Sequence, residues 1–270
     1  MKDKRVLYVS SEVVPYLPET EISSMSFEAP RTVNNKNGQI RIFMPRYGNI
    51  NERRHQLHEV IRLSGMNLVI NDMDMPLIIK VASIPKERMQ VYFIDNEDYF
   101  KRKATYANED GALFPDNDER ALFFAKGVVE TVKKLNWAPD IIHVHGWLAS
   151  FLPLYLKTYY ANEPLFDGCK VVTSVYNQGF EGTLDKALKH KISLDGIQEQ
   201  HLAHLEEPNY INVIKTAIDH SDALITGSNE LPEELANYMK AQKAPVLNFH
   251  NKEDFSQAYI DFYQNKVLGA

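Results

Sequence analysis

The chain has a single cysteine in 270 residues, Cys169, so no disulfide can form within it, and a reducing compartment is the natural reading. Cys169 lies in the apolar run "GCKVVTSV" and reads as a small buried hydrophobe rather than a nucleophile. Long hydrophobic runs are missing as well. The opening "MKDKRVLYVSSEVV" places charges before an apolar stretch too short for a signal peptide or a membrane span. Basic charge is not in excess: 30 Lys and Arg against 36 Asp and Glu give a formal net charge of -6. With no clustered basic face, neither nucleic acid nor an anionic membrane is an expected partner. A cytoplasmic globular protein is the expectation.

Several chemical signatures are lacking too. No G-x-G-x-x-G follows the first apolar run, and no G-x-x-x-x-G-K-[ST] or nucleophile elbow occurs anywhere. Internal repeats, low-complexity segments and a Pro/Gly/Ser-rich linker are also absent. This predicts one domain over residues 1–270, without a cofactor or metal.

With 44% hydrophobic residues, the chain can bury a sizeable core. Short apolar runs alternate with longer stretches of helical period, the pattern of crossover units on a mostly parallel sheet. The strand candidates are 5–10, 40–45, 77–84 with 90–94, 141–144, 170–175, 223–226 and 246–248. Helical spacing is plain in "DNDERALFFAKGVVETVKKLN", which starts on an aspartate and ends on lysines. "WLASFLPLYLKTYY", "NVIKTAIDHS", "ELPEELANYMKAQ" and "KEDFSQAYIDFYQNKV" read the same way. The expected fold class is α/β: a single Rossmann-like domain with helices on both faces of the sheet. Runs 5–10, 141–144 and 170–175 should be interior strands, since strands covered on both faces need not alternate.

Ligands of such sheets gather outside the carboxyl ends of the strands. One of those ends reads "DIIHVHGW". Residues i and i+2 of a strand share a face, so His143 and His145 point together. Zinc would need a third and usually a fourth ligand, and none is local, which favours a packed, hydrogen-bonded pair. His201 and His204 in "EQHLAHLEE" are read as part of a solvated face.

The run "VYFIDNEDYFKRKATYANEDGALFPDNDERALFFAKGVVETVKKLNWAPDIIHVHGWLASFLPLYLK" resembles the N-terminal domain of bacterial glycogen synthases and plant starch synthases, glycosyltransferase family 5. The resemblance extends to "VLYVSSEVVPYL", "IRIFMPRYGNI", "VVTSVYNQGFEG" and "AIDHSDALITGSNELPEEL", up to about Met239. It implies the N-terminal half of a GT-B glycosyltransferase. Such enzymes move glucose from ADP-glucose onto an α-1,4-glucan between two Rossmann-like domains.

Aligned to the family's motifs, the chain departs at several positions. Where the family has S-E-x-x-P-x-x-K-T-G-G-L, this chain has "SSEVVPYLPETEISSM". Pro18 falls on the lysine, Thr20 and Glu21 on the two glycines, and Ser24 on the aspartate after them. A cationic, permissive loop has become anionic, which disfavours close approach of a diphosphate. Gly146 replaces the aspartate of H-x-H-D-W, and Tyr176 replaces the histidine of H-N. Glu12, Tyr106, Asp116, Asn117, His145, Trp147, Asn177 and Gly182 match. Simple structural roles are expected for several of these: Trp147 beneath the following helix, Asp116 and Asn117 capping a helix, and Glu12 on backbone amides.

By resemblance, Glu12, Tyr106, His145, Trp147, Tyr176 and Asn177 are the candidate ligand-binding set, with no catalytic residue among them. No counterpart of the second GT-B domain follows Met239. The ending is read as a closing strand and helix at about 244–267 and a natural terminus, with Phe255, Tyr259, Phe262 and Tyr263 at helical spacing. The candidate set would then lie open at the carboxyl edge and invite a second copy or a partner chain. Three functions stay open. The favoured one is a non-catalytic glycogen-synthase-like protein that binds a glucan, a nucleotide sugar or a protein. The others are a glucosyltransferase completed by a separate chain, and a purely structural or interaction protein.

Overall fold

The computed structural model describes residues 1–269. Seven strands run parallel: β1 (Arg5–Ser10), β2 (Gln39–Pro45), β6 (Met89–Asp95), β7 (Ile141–His145), β8 (Lys170–Val175), β9 (Ala223–Thr226) and β10 (Val246–Leu247). β5 (Met73–Ile84) pairs antiparallel with β6, and β3 (His58–Glu59) and β4 (Met66–Ile70) pair antiparallel with β5. The order across the sheet is β10-β9-β8-β7-β1-β2-β6-β5-β3. As expected, β1, β7 and β8 are interior and parallel. The expected strands are all present with ends shifted by a few residues, whereas β3 and β4 were not anticipated.

The helices are α1 (Glu21–Asn35), α2 (Glu52–His55), α3 (Glu97–Phe100), α4 (Asn117–Leu135), α5 (Leu152–Lys157), α6 (Leu188–Ser193), α7 (Tyr210–Asp219), α8 (Glu233–Lys240) and α9 (Phe255–Phe262). α1 packs on β1, β2 and α9, while α5 contacts both α4 and α7. The long helix expected from "WLASFLPLYLKTYY" is instead one 3-10 turn, Trp147–Ala149, followed by the short α5. Pro153 stands in the first turn of α5, where its missing amide stops a helix from running through from Trp147. α9 passes into a π turn over Tyr263–Val267, and Phe255, Tyr259, Phe262 and Tyr263 are all buried.

Strands β1 and β7 are buried almost throughout, with Val6, Tyr8, Val9, Ile141 and Val144 at 0% exposure. Burying each such side chain contributes about 1.5–3 kcal/mol. From β1 the chain builds outward through β2 to β6, then returns to place β7 on the other side of β1. The switch point of this sheet therefore lies between β1 and β7, where a crevice forms outside the carboxyl ends.

Candidate functional site

Two turns meet at this switch point, and each is clamped to the other. The Ser11 amide donates to the His145 carbonyl at 2.9 Å, and the Leu148 amide donates to Ser11 Oγ at 3.1 Å. Gly146, between them, has φ 81° and ψ 157°, a conformation essentially restricted to glycine. A Cβ placed there would lie 2.6 Å from Ser11 Oγ and 2.8 Å from Ser11 Cβ. Both the backbone and the space forbid a carboxylate at this position.

Glu12, just after β1, is 5% exposed. Its carboxylate accepts hydrogen bonds from Thr20 Oγ1 at 2.8 Å, Tyr106 OH at 3.0 Å and Gln178 Nε2 at 3.0 Å. Three side chains from three segments hold it, not the backbone amides expected. Burial, followed by the neighbouring Tyr47 and Glu12, pushes the Tyr106 phenol well above its usual value, so it remains a donor. Trp147 is 2% exposed, and its rings sit 4.9 Å from both Tyr106 and Phe180. Its aromatic partners are therefore loop residues rather than the following helix.

Asp116 occupies the cap position of α4 but makes no capping hydrogen bond. It instead grips Arg102, whose Nη1 donates to Oδ1 at 2.8 Å. Asn117 ties the Tyr106 loop to the start of α4: its Nδ2 donates to the Tyr106 carbonyl at 2.8 Å, and its Oδ1 accepts from Arg120 Nη1 of the same helix.

The histidines pack as their shared face predicts. His143 and His145 are fully buried with ring centres 4.0 Å apart. His143 shares hydrogen bonds with Tyr263 OH at 2.6 Å and Ser174 Oγ at 2.7 Å, and His145 Nδ1 with Tyr176 OH at 2.7 Å. Burial holds both imidazoles below the usual value, His145 at about 3. Tyr176 is itself buried, and its ring lies 2.6 Å from where a Cβ on Gly227 would stand. Gly227 is thus the residue that admits a tyrosine here.

The substituted loop closes on itself. Thr20 Oγ1 accepts from the Ser23 amide at 3.0 Å, and Ser23 Oγ accepts from the Thr20 amide at 2.8 Å, a capping box at the start of α1. Ser23 Oγ also donates to the Pro18 carbonyl at 2.9 Å. Glu21 accepts from the Ser228 hydroxyl, and Ser228 Oγ accepts from the Asn177 amide at 2.9 Å. Ser24 Oγ donates to Glu19 at 3.2 Å.

The candidate residues therefore do share the carboxyl edge, but not as an open face. Of the six, Asn177 is exposed and Tyr106 partly so, while Glu12, His145, Trp147 and Tyr176 are buried. The surface expected to be open is filled from within by Gln178, Phe180 and the Tyr106 loop. Gln178, Phe180, Ser11 and Ser228 were missed as members. The string "YNQGFEG" signals the first two, whereas nothing local marks Ser11 or Ser228.

Away from this edge, His201 and His204 are not simply solvated. His201 Nδ1 lies 3.0 Å from His220 Nε2, and His204 Nε2 lies 2.9 Å from Asp219 Oδ2. Cys169 is half-buried rather than fully buried, and desolvation still pushes its thiol up to about 12, which fits an inert side chain. No helix among the described residues is long and apolar enough to cross a membrane.

Comparison with known proteins covers nearly the whole of this architecture. Residues 5–248 match the family described as the starch synthase catalytic domain. The glycogen synthase of Chlorobium limicola is 35% identical over 232 residues, spanning 86% of this chain and 47% of that protein. The glycogen synthase of Chlorobium chlorochromatii is 37% identical over 238 residues, with 86% and 47% covered. The chain spans about half the length of the curated relatives it matches. A solved structure, the catalytic domain of Starch Synthase IV from Arabidopsis thaliana bound to ADP and acarbose, superposes with a TM-score of 0.72 at 18% identity. It covers 93% of this chain and 52% of that one, and so shares the fold. Since the family match runs from β1 to the end of β10 and the sheet follows the same plan, this chain belongs to the starch synthase catalytic domain family.

Proposed function

We propose that this chain is a non-catalytic, cytoplasmic member of the family with a binding or regulatory role linked to glucan metabolism. The observation that carries this reading is Gly146. At the position where the family motif places an aspartate, the backbone lies in glycine-only territory, and Ser11 fills the space a side chain would need. The neighbouring positions support it. Glu12 is held by three donors, Tyr176 is paired with His145, and the loop before α1 has Pro18 where the family's lysine is implied. Loss of one preorganised electrostatic group commonly costs on the order of 100-fold in rate.

The test is incorporation of radiolabelled glucose from ADP-glucose into glycogen by the purified chain. Background incorporation is expected. Dose-dependent incorporation that is lost in Trp147→Ala or Asn177→Ala would overturn the reading. A second reading, a glucosyltransferase completed by a separate chain, is favoured by the ADP and acarbose bound to the Arabidopsis domain of the same fold. It predicts activity only when a chain carrying the other domain is added.

A further inference from the structure

A cavity of about 400 Å³ opens at the carboxyl edge, where the loop entering α1 meets the segment after β10. Its lining mixes two chemistries. Met25, Phe249 and Phe255 are its apolar lining and Glu19, Glu21 and Glu28 its acidic lining, with Met25 lying between Glu21 and Glu28 on one face of α1. A volume of this size, with an apolar wall and a few placed polar groups, suits a small-molecule site. Thr20, Glu21 and Ser24, which stand at substituted family positions, also line it.

Lys252 is the only ammonium on this lining, against three carboxylates. Its Nζ donates to Glu19 Oε1 at 3.1 Å, with side-chain exposures of 71% and 69%. An ion pair that exposed is worth little and is easily replaced. Glu28 meets only Arg31, at 3.3 Å, and Glu21 uses one oxygen on the Ser228 hydroxyl. The cavity thus carries negative charge beside aromatic rings. It repels a diphosphate and attracts an organic cation, which gains from carboxylate pairing and from the ring faces together. Lys252 shows the pairing within the chain itself: an ammonium on Glu19, from a residue that also lines the cavity.

We propose that this cavity binds an alkylammonium group, held among Glu19, Glu21 and Glu28 in place of Lys252, with its methylenes against Met25, Phe249 and Phe255. The proposal rests on the non-catalytic reading, because it uses the loop that reading takes out of nucleotide-sugar binding, and it names the ligand class. Free polyamines and lysine side chains of peptides share this chemistry.

Isothermal titration of the purified chain with cadaverine, with spermidine and with a short neutral-capped peptide bearing one lysine tests it. At least one probe is expected to bind with a Kd below about 1 mM. Stronger binding of the free amines or of the peptide assigns the source. The double variant Glu19→Gln, Glu21→Gln should weaken binding by about tenfold or more, as loss of charge-assisted hydrogen bonds requires. Lys252→Met should tighten it several-fold by removing the internal competitor, while Lys240→Met, which changes net charge equally, should leave it unaltered. No heat from any probe at millimolar concentration, or binding indifferent to the glutamate changes, overturns the proposal. Glucose transfer in the radiolabel assay would defeat the non-catalytic reading whatever the amines do. Absence of both transfer and amine binding would defeat the amine site alone.

Discussion

At Gly146, replacement by aspartate would force a side chain into a positive-φ conformation and onto Ser11. Strain of this kind costs about 1–3 kcal/mol before the clash is counted. Gly146→Asp is therefore expected to lower the urea midpoint, and the triple change Pro18→Lys, Gly146→Asp, Tyr176→His should restore no glucose transfer. A triple variant as stable as the parent and active on ADP-glucose would refute this. Tyr176→Phe makes a separate prediction. Its hydroxyl is the partner of His145 Nδ1 in a fully buried pocket where Nε2 already has none. Its loss should cost about 1–3 kcal/mol, read by chemical unfolding. The substitutions at 146 and 176 were legible from the motif. That glycine and tyrosine are each held in place by a neighbour, Ser11 and Gly227, was not, because those neighbours lie just past the ends of other strands.

Among the elements, α1 and α9 bear on the site most directly. α1 was not anticipated: its buried face is Ile22, Ser23, Ser26, Ala29, Pro30, Thr32 and Val33. Serines and an internal proline disguise the apolar stripe that sequence reading relies on, and Ser26 earns its place by a 2.7 Å hydrogen bond to Ser10. α9 was anticipated from its aromatic spacing, but its partners were not. Tyr263 and Tyr259 both pack against His143, the ring neighbour of His145, and this makes its docking sensitive to pH. Burial depresses both imidazole values from the usual 6.5, so the unfolded chain binds protons that the folded chain does not. Stability should be complete above pH 6.5 and fall as pH drops from 6.5 toward about 3. The slope reaches up to about 1.4 kcal/mol per pH unit for each histidine. Urea unfolding at pH 7.5, 6 and 5 measures it, and the double variant His143→Gln, His145→Gln should lose most of that slope; an unchanged slope would count against the assignment. On the opposite layer, α6 is pinned to α4 by Lys191, whose Nζ lies 2.7 Å from Asp118 and 2.9 Å from Asp185. Asp118 is fully buried, and desolvation outweighs the ammonium in raising its pKa. Lys191→Met should therefore destabilise the chain by about 3–5 kcal/mol, through the carboxylate left without its cation.

For the whole molecule, one continuous core links β1, β7 and β8 to helices on both layers. A single cooperative transition is expected, because no seam divides this core. The two tryptophans provide the check: Trp137 precedes β7 and Trp147 follows it, at opposite ends of the sheet. Fluorescence transitions of Trp137→Phe and Trp147→Phe should each coincide with the loss of helical circular dichroism, and separated midpoints would show two units instead. The α/β class, the parallel interior strands and the family were determined by sequence alone, since hydrophobic periodicity and strand-end motifs are local and survive in the order of residues. The sequence also located the candidate residues, because the carboxyl ends of strands can be counted along the chain. Whether those residues form an open face or a closed, self-satisfied cluster was decided only by the tertiary structure. The donors that saturate Glu12 come from positions 20, 106 and 178, and hydrogen bonds between such distant segments depend on how loops fold back over the sheet, which no local pattern encodes.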